Sequence, residues 1–207
     1  MKFEVSALVA GLAATVSAQT QHQTGPFSLL VKGVKSNSTI NGYLENCHTG
    51  AGLSALCYAK GQPAADSNYY GFNYTGLSKA GYNNVGTLTY ALPVTGDNGP
   101  ETVSQGLGVV YQTTSNVAAP QFGVGGAPFD VGFDGENELF GYNYIDDSTF
   151  VPGKQPSVGD LVGRPFFHWA VCWQYFTGYY YQSLAWVQSG APHNPTCEAV
   201  TVVQKKI

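Results

Sequence analysis

The sequence predicts an all-β protein, an antiparallel β-sandwich or jelly roll with at most one short helix. Three observations carry that expectation. Short runs of alternating apolar and polar residues recur along the chain. Turn signals rich in Gly and Asn separate the runs. Helical periodicity is nearly absent. Many short strands with little helix favour two packed sheets, and barrel closure is the alternative.

Residues 27–31 give the first strand pattern, an imperfect one, with Phe27, Leu29 and Val31 set against Ser28 and Leu30. Residues 52–60 are the one helical candidate, because Leu53, Leu56 and Cys57 share a helical face; weak capping limits it to one or two turns. Residues 87–92 alternate cleanly, with Leu88, Tyr90 and Leu92 on one face and Thr87 and Thr89 on the other. Leu107, Val109 and Tyr111 repeat the pattern, as do Phe129, Val131 and Phe133. The loops Thr95-Gly96-Asp97-Asn98-Gly99-Pro100 and Gly123-Val124-Gly125-Gly126 lie between such runs. Residues 139–144 read as a strand joined to 129–133 by the turn Asp134-Gly135-Glu136-Asn137, and residues 200–203 as a final strand.

The start of the chain reads differently. Residues 1–18, MKFEVSALVAGLAATVSA, carry Lys2, a short apolar run and small residues at Val16 and Ala18. This is the pattern of a secretory signal peptide cut after Ala18. Residues 19–207 then form a single secreted β domain, long enough to bury a sizeable core. Charged residues make up only 11% of the 207-residue chain, against 14% aromatic residues and 26 Gly. The formal net charge is −4. A mildly acidic chain without a basic stripe is not a nucleic-acid binder, and it lacks the polybasic segment of an anionic-membrane binder.

The 4 Cys are Cys47, Cys57, Cys172 and Cys197. An even count behind a signal peptide argues for disulfides rather than metal, and the wide spacings disfavour zinc. Three pairings are open. Cys47–Cys57 and Cys172–Cys197 are favoured because each closes a local loop. Asn37-Ser38-Thr39 and Asn73-Tyr74-Thr75 are glycosylation acceptors, at Asn37 and Asn73. Asn194-Pro195-Thr196 fails that pattern because Pro takes the forbidden middle position.

All 3 Trp fall within residues 168–187, HWAVCWQYFTGYYYQSLAWV. The stretch has the length of a membrane span, but its polar residues and central Tyr cluster argue against one. A hairpin turning at Thr177-Gly178 fits better. Its register sets Trp169 against Trp186, Val171 against Leu184, Trp173 against Gln182, Tyr175 against Tyr180 and Phe176 against Tyr179. One face is then strongly apolar and the other mixed. Core packing is the favoured use. A ligand platform at the tip, from Tyr179, Tyr180 and Tyr181, is the alternative, since sugars stack on exposed aromatic faces.

No catalytic set is selected. The acidic residues between Asp130 and Asp147 fail the spacing of a helix–loop–helix calcium site and read as turn acids, with calcium as the lesser reading. They include carboxylates from which a polysaccharide hydrolase could draw a pair, but spacing singles out none. His22, His48, His168 and His193 have no motif around them, and no cofactor signature is present.

Asn46-Cys47-His48-Thr49-Gly50-Ala51-Gly52-Leu53 through Cys57, the segment from Tyr111 through Ser115-Asn116-Val117-Ala118 with Pro120, and the C-terminal run Trp169-Ala170-Val171-Cys172, Tyr181-Gln182-Ser183-Leu184-Ala185-Trp186-Val187 and Asn194-Pro195-Thr196-Cys197 together resemble an uncharacterised family of small secreted ascomycete fungal proteins with paired cysteines. The resemblance implies secretion and the same Cys layout, and it carries over no catalytic residue. The expectation is a secreted fungal protein, extracellular or held in the cell wall and non-catalytic. Carbohydrate binding, to cell-wall or host glycans, is the alternative, and polysaccharide hydrolysis the more distant one. Nothing selects an oligomeric state.

Overall fold

The computed structural model describes residues 22–62, 69–74, 84–97, 99–123 and 128–207. The leader read over residues 1–18 lies outside them. Strand β1 (His22–Gly33) makes the first long pairing, with the C-terminal strand β13 (Glu198–Lys206), from Phe27 opposite Lys206 to Gly33 opposite Val200. The hairpin β2 (Asn41–Gly50) and β3 (Leu53–Lys60) follows β1. Then come β4 (Tyr70–Tyr74), the long hairpin β5 (Gly86–Gly96) and β6 (Gly99–Val110), and β7 (Val117–Gly123). Three short strands, β8 (Val131–Phe133), β9 (Leu139–Asn143) and β10 (Arg164–Phe166), form an extension hydrogen-bonded to β5. The hairpin β11 (Trp169–Phe176) and β12 (Tyr179–Val187) precedes β13.

All the strand pairings are antiparallel, and they close. The path β1-β13-β11-β12-β3-β7-β6-β5-β4 returns to β1, a closed nine-strand barrel with extra strands. Strand β2 bridges β1 and β3. The expected sandwich or jelly roll is therefore corrected to a barrel. The reason is the β5–β6 ladder, Thr89 opposite Gly106 through Gly96 opposite Gly99, with β6 also paired to β7. A sandwich would leave sheet edges there. Alternation within a strand says which face is buried, but not whether the outermost strands of a sheet meet.

The helical candidate is also corrected. Residues 53–60 are strand β3, and the described residues contain no α-helix, only 3-10 turns at Asp147–Thr149 and Val158–Leu161. Strand β3 is covered on both faces. Leu56 points into the barrel, while Ala55 packs outward with Ala119 and Phe176. Burial on both faces erases the period-two signal and leaves an apolar run that mimics a helix face.

Inside the barrel, Phe27, Leu29, Leu44, Leu56, Leu88 and Leu184 are fully buried. Each contributes roughly 1.5–3 kcal/mol by leaving water. Tyr70 is buried among them, and its hydroxyl donates to the Leu44 carbonyl at 3.2 Å. Burial pushes its phenol pKa well up, with the neighbouring Tyr90 and Glu45 adding to the shift. Trp169 and Trp186 meet edge to face, with ring centroids 4.8 Å apart. The Trp169 indole Nε1–H donates to the Leu139 carbonyl at 2.8 Å.

The predicted β11–β12 register is the observed one at every quoted pair, from Trp169 opposite Trp186 to Phe176 opposite Tyr179. The turn residues Thr177 and Gly178 have φ of 38° and 109°. Positive φ at both positions matches the twist of a two-residue hairpin. It strains a β-branched Thr, where Asn would be easier. The Thr177 hydroxyl offsets the strain by donating to the Thr49 carbonyl at 2.6 Å. Both disulfides have the favoured pairing, Cys47–Cys57 and Cys172–Cys197. The first lies diagonally across β2 and β3, since Cys47 faces Ala55 and Cys57 faces Glu45.

Trp169→Phe tests the central packing. It removes the donor to Leu139 and leaves a void where the second ring stood. The expected loss is about 2–4 kcal/mol in denaturant unfolding, with an unchanged far-UV spectrum. A loss below about 0.5 kcal/mol would show that the indole is not the anchor described.

Candidate functional site

The outer half of the β11–β12 hairpin has fewer strand partners than its base. On one side, β13 pairs with β11 only at Ala170 and Val171. On the other, the β12 contacts with β3 and β7 lie at Ser183, Trp186 and Val187. Beyond these positions the hairpin is a two-stranded ribbon, and such ribbons twist more strongly than a sheet. Its mixed face lies on the barrel wall. Phe176 packs with Ala55 and Ala119, Tyr181 packs beside them with Cys47, and Tyr179 meets His48 edge to face at 5.5 Å. The opposite face holds Trp169 and Val171 in the core near the base, but at the tip it turns to solvent. There Trp173 is 42% exposed, Tyr175 70% and Tyr180 59%.

These three aromatics form a shelf. The rings of Trp173 and Tyr180 stack at 5.1 Å with 26° between their planes, and Tyr175 lies directly across the ladder from Tyr180. A recess of about 340 Å3 beside the shelf is edged by the polar residues Gln112, Ser115, Gln174 and Asn194. No charged residue lines it. The platform read from Tyr179, Tyr180 and Tyr181 is divided by strand alternation. Tyr180 belongs to the shelf, while Tyr179 and Tyr181 stack on each other at 5.8 Å on the opposite face. Trp173 and Tyr175 take the other places on the shelf. The sequence did contain that signal, since the Tyr175–Tyr180 pair adjoins the turn, where core neighbours run out.

The shelf is held by a lock that the sequence did not show. The Trp173 backbone N–H donates to Thr196 Oγ1 at 2.9 Å, and Asn194 Nδ2 donates to the Trp173 carbonyl at 2.9 Å. The Thr196 hydroxyl donates in turn to Asn194 Oδ1 at 2.7 Å. Asn194-Pro195-Thr196 thus continues by side chains the ladder that β13 abandons. Gln174 is fixed as well, its Nε2 donating to Ser183 Oγ and to the Leu184 carbonyl. Asn116 clamps the loop before Asn194. Its side chain donates to the Ser189 and Ala191 carbonyls and accepts from the His193 N–H.

The other candidate residues are placed elsewhere. Asn37 is exposed in the turn after β1. Asn73 lies within β4, partly buried, and Thr75 of its acceptor triplet lies outside the described residues. In the acidic segment, Asp134 Oδ1 accepts from the Glu136 and Glu138 backbone N–H groups, so this carboxylate builds the turn between β8 and β9. Ser148 donates to Asp146 from both its hydroxyl and its backbone, and Arg164 Nη1 lies 3.4 Å away. Those two Ser148 bonds, followed by the charges of Arg164 and His168, lower the Asp146 pKa. His168 lies against Trp186 and Phe166. Among the described residues no group of three His, Cys, Asp or Glu is placed to hold a metal ion.

A closed antiparallel barrel with two disulfides and an uncharged aromatic shelf is the class of protein these features define. The disulfides are compatible with an extracellular protein, and among the described residues no helix is long and apolar enough to cross a membrane. Residues 24–205 match the family model described as a domain of unknown function (DUF7907), and the chain belongs to that family. Neither the curated proteins nor the solved structures give a match.

Glu138 gives a test of the acidic turn. Burial raises its pKa, and the charges of Asp134 and Glu136 raise it further. A folded-state pKa above the unfolded one means that the native state holds the proton more tightly. This contribution favours the fold at low pH and is lost as pH rises through and above 4.5. Glu138→Gln is therefore expected to raise the melting temperature slightly at pH 7, with the difference closing well below pH 4.5. Thermal scans of both proteins across pH check this. An effect of the opposite sign would mean that the Glu138 charge is stabilised by a partner.

Proposed function

We propose that the chain is a secreted, non-catalytic protein of the fungal exterior, extracellular or held in the cell wall, that binds neutral glycans through Trp173, Tyr175 and Tyr180. The exposed, pre-positioned aromatic shelf carries this reading. A pyranose ring presents a face of C–H groups that packs on an aromatic plane, while its hydroxyls seek neutral donors and acceptors. The Gln112 amide beside the shelf offers both, and the Ser115 hydroxyl, which accepts from the Val117 N–H, keeps its own O–H to donate. The lack of charge along the recess favours neutral sugars over acidic or amino sugars. The Asn194–Thr196 lock supports binding, because a platform already ordered loses little further freedom when it captures a ligand. The non-catalytic part rests on the carboxylates. None lines the recess, and those of Asp134 and Asp146 are engaged within their own turns. Secretion is supported by the leader pattern and the disulfides, and the fungal setting by the sequence resemblance.

A glycan array of neutral and charged cell-wall oligosaccharides tests the proposal. Binding is expected to neutral glycans and to be unchanged by EDTA. Trp173→Ala should weaken it by about tenfold while leaving the melting temperature within a few degrees, since the indole is half exposed. Absence of binding across a broad array, or undiminished binding by Trp173→Ala, would remove the reading.

A further inference from the structure

At the base of the same hairpin, on the outer face of the barrel, lies a cavity of about 320 Å3. Its floor follows from the ladder. Ala170 pairs with Ala199 between β11 and β13, so their two methyl groups lie side by side on one face. Two residues along each strand on that face, Cys172 and Cys197 form the disulfide, and Cys197 contributes to the end wall. Val187 and Pro192 continue the apolar lining, and Phe167, 43% exposed, stands at the side. Small side chains on the floor between larger ones at the rim make the depression. The volume is at the lower end of the range of small-molecule sites, roughly 300–1,000 Å3.

The charge is one-sided. Lys35, from the turn after β1, and His168 are its basic lining residues, and no Asp or Glu is among the lining. His168 also faces Asp146, so Lys35 is the cation left to the cavity. An apolar depression with a lysine among its lining residues and no carboxylate among them matches an apolar molecule that ends in an anion.

We propose that this cavity binds a small apolar monocarboxylate. The hydrocarbon body lies on Ala170, Ala199 and the disulfide, and the carboxylate pairs with Lys35. The cavity is a different surface from the aromatic shelf and does not depend on glycan binding there.

Titration calorimetry with hexanoate, 1-hexanol and hexylamine on the full folded chain tests the assignment. The three share one hydrocarbon body and differ in head group. Hexanoate is expected to bind about tenfold more tightly than 1-hexanol, and hexylamine no better than the alcohol. Lys35→Met should abolish the advantage of hexanoate and leave 1-hexanol unchanged; Lys35 is exposed, so the variant should fold. Ala199→Phe should fill the floor and weaken both ligands. Methyl shifts of Ala170 and Ala199 on adding hexanoate locate the site in the unsubstituted protein, whether or not that variant folds. Equal binding of hexanoate and 1-hexanol, an advantage that survives Lys35→Met, shifts confined to other methyl groups, or no binding of hexanoate at millimolar concentration would each overturn the proposal.

Discussion

Two indoles meeting edge to face, Trp169 and Trp186, are the contact around which one wall of the barrel is arranged. They lie opposite each other on β11 and β12, so their contact requires the hairpin to have its observed register. The ring of Phe129 lies near both, with centroids 6.1 and 5.1 Å away. The Trp169 indole also holds the start of β9 through the Leu139 carbonyl. Strand β9 approaches so closely that a Cβ at Gly141 would stand 2.6 Å from Trp186 Cη2. A side chain there would push the extension β8–β10 off the indoles. Glycine at position 141 is therefore a packing requirement rather than a turn signal.

The same hairpin accounts for the exposed aromatics. Near its base one face lies in the core, because β13, β3 and β7 continue the wall on both sides. Beyond those strands the twist is less restrained, and the opposite face settles on the wall through Phe176 and Tyr181. A ribbon has only two faces, so once that side is down, Trp173, Tyr175 and Tyr180 must face outward. The hydroxyl bond of Thr177 to Thr49 fastens the tip in this position. An Asn-Gly turn would relieve the backbone strain, but its longer side chain would not reproduce the Thr hydroxyl geometry. The strained residue is explained by what it holds.

Local pairing was legible in the sequence to the residue. The hairpin register followed from a two-residue turn and the requirement that Trp169 and Trp186 share a face. The disulfides followed from the short loops they close. What was not legible was long-range. Closure by β5, β6 and β7 depends on pairings between segments whose patterns look alike at the level of alternation. Strand β3 was lost as a helix candidate because both its faces are buried. The shelf was half legible. Tyr180 is singled out by the sequence, but alternation alone puts Trp173 on the same apolar face as Trp169 and does not show that the neighbouring strands stop short of it. The Asn194–Thr196 lock was hidden for another reason. Its partner is the backbone of Trp173, which no side-chain pattern reveals.

The Cys172–Cys197 disulfide connects the two recesses. It joins β11 to the end of the loop that precedes β13. On one side of the bond, that loop presents Asn194 and Thr196 to the Trp173 backbone and so orders the aromatic shelf. On the other, it supplies Ser189 and Pro192 to the apolar cavity, and Cys197 itself becomes part of the wall. Cys172 is fully buried, so the link is anchored in the barrel rather than at a loop tip. Cross-linking chiefly restricts the unfolded chain, but at this position it also fixes the path of a loop with little regular structure. The core near the indoles would persist with the bond opened, since its apolar contacts lie on the inner face. The outer-face surfaces depend on the loop, and the disulfide, together with the Asn116 clamp and the Asn194–Thr196 bonds, positions both.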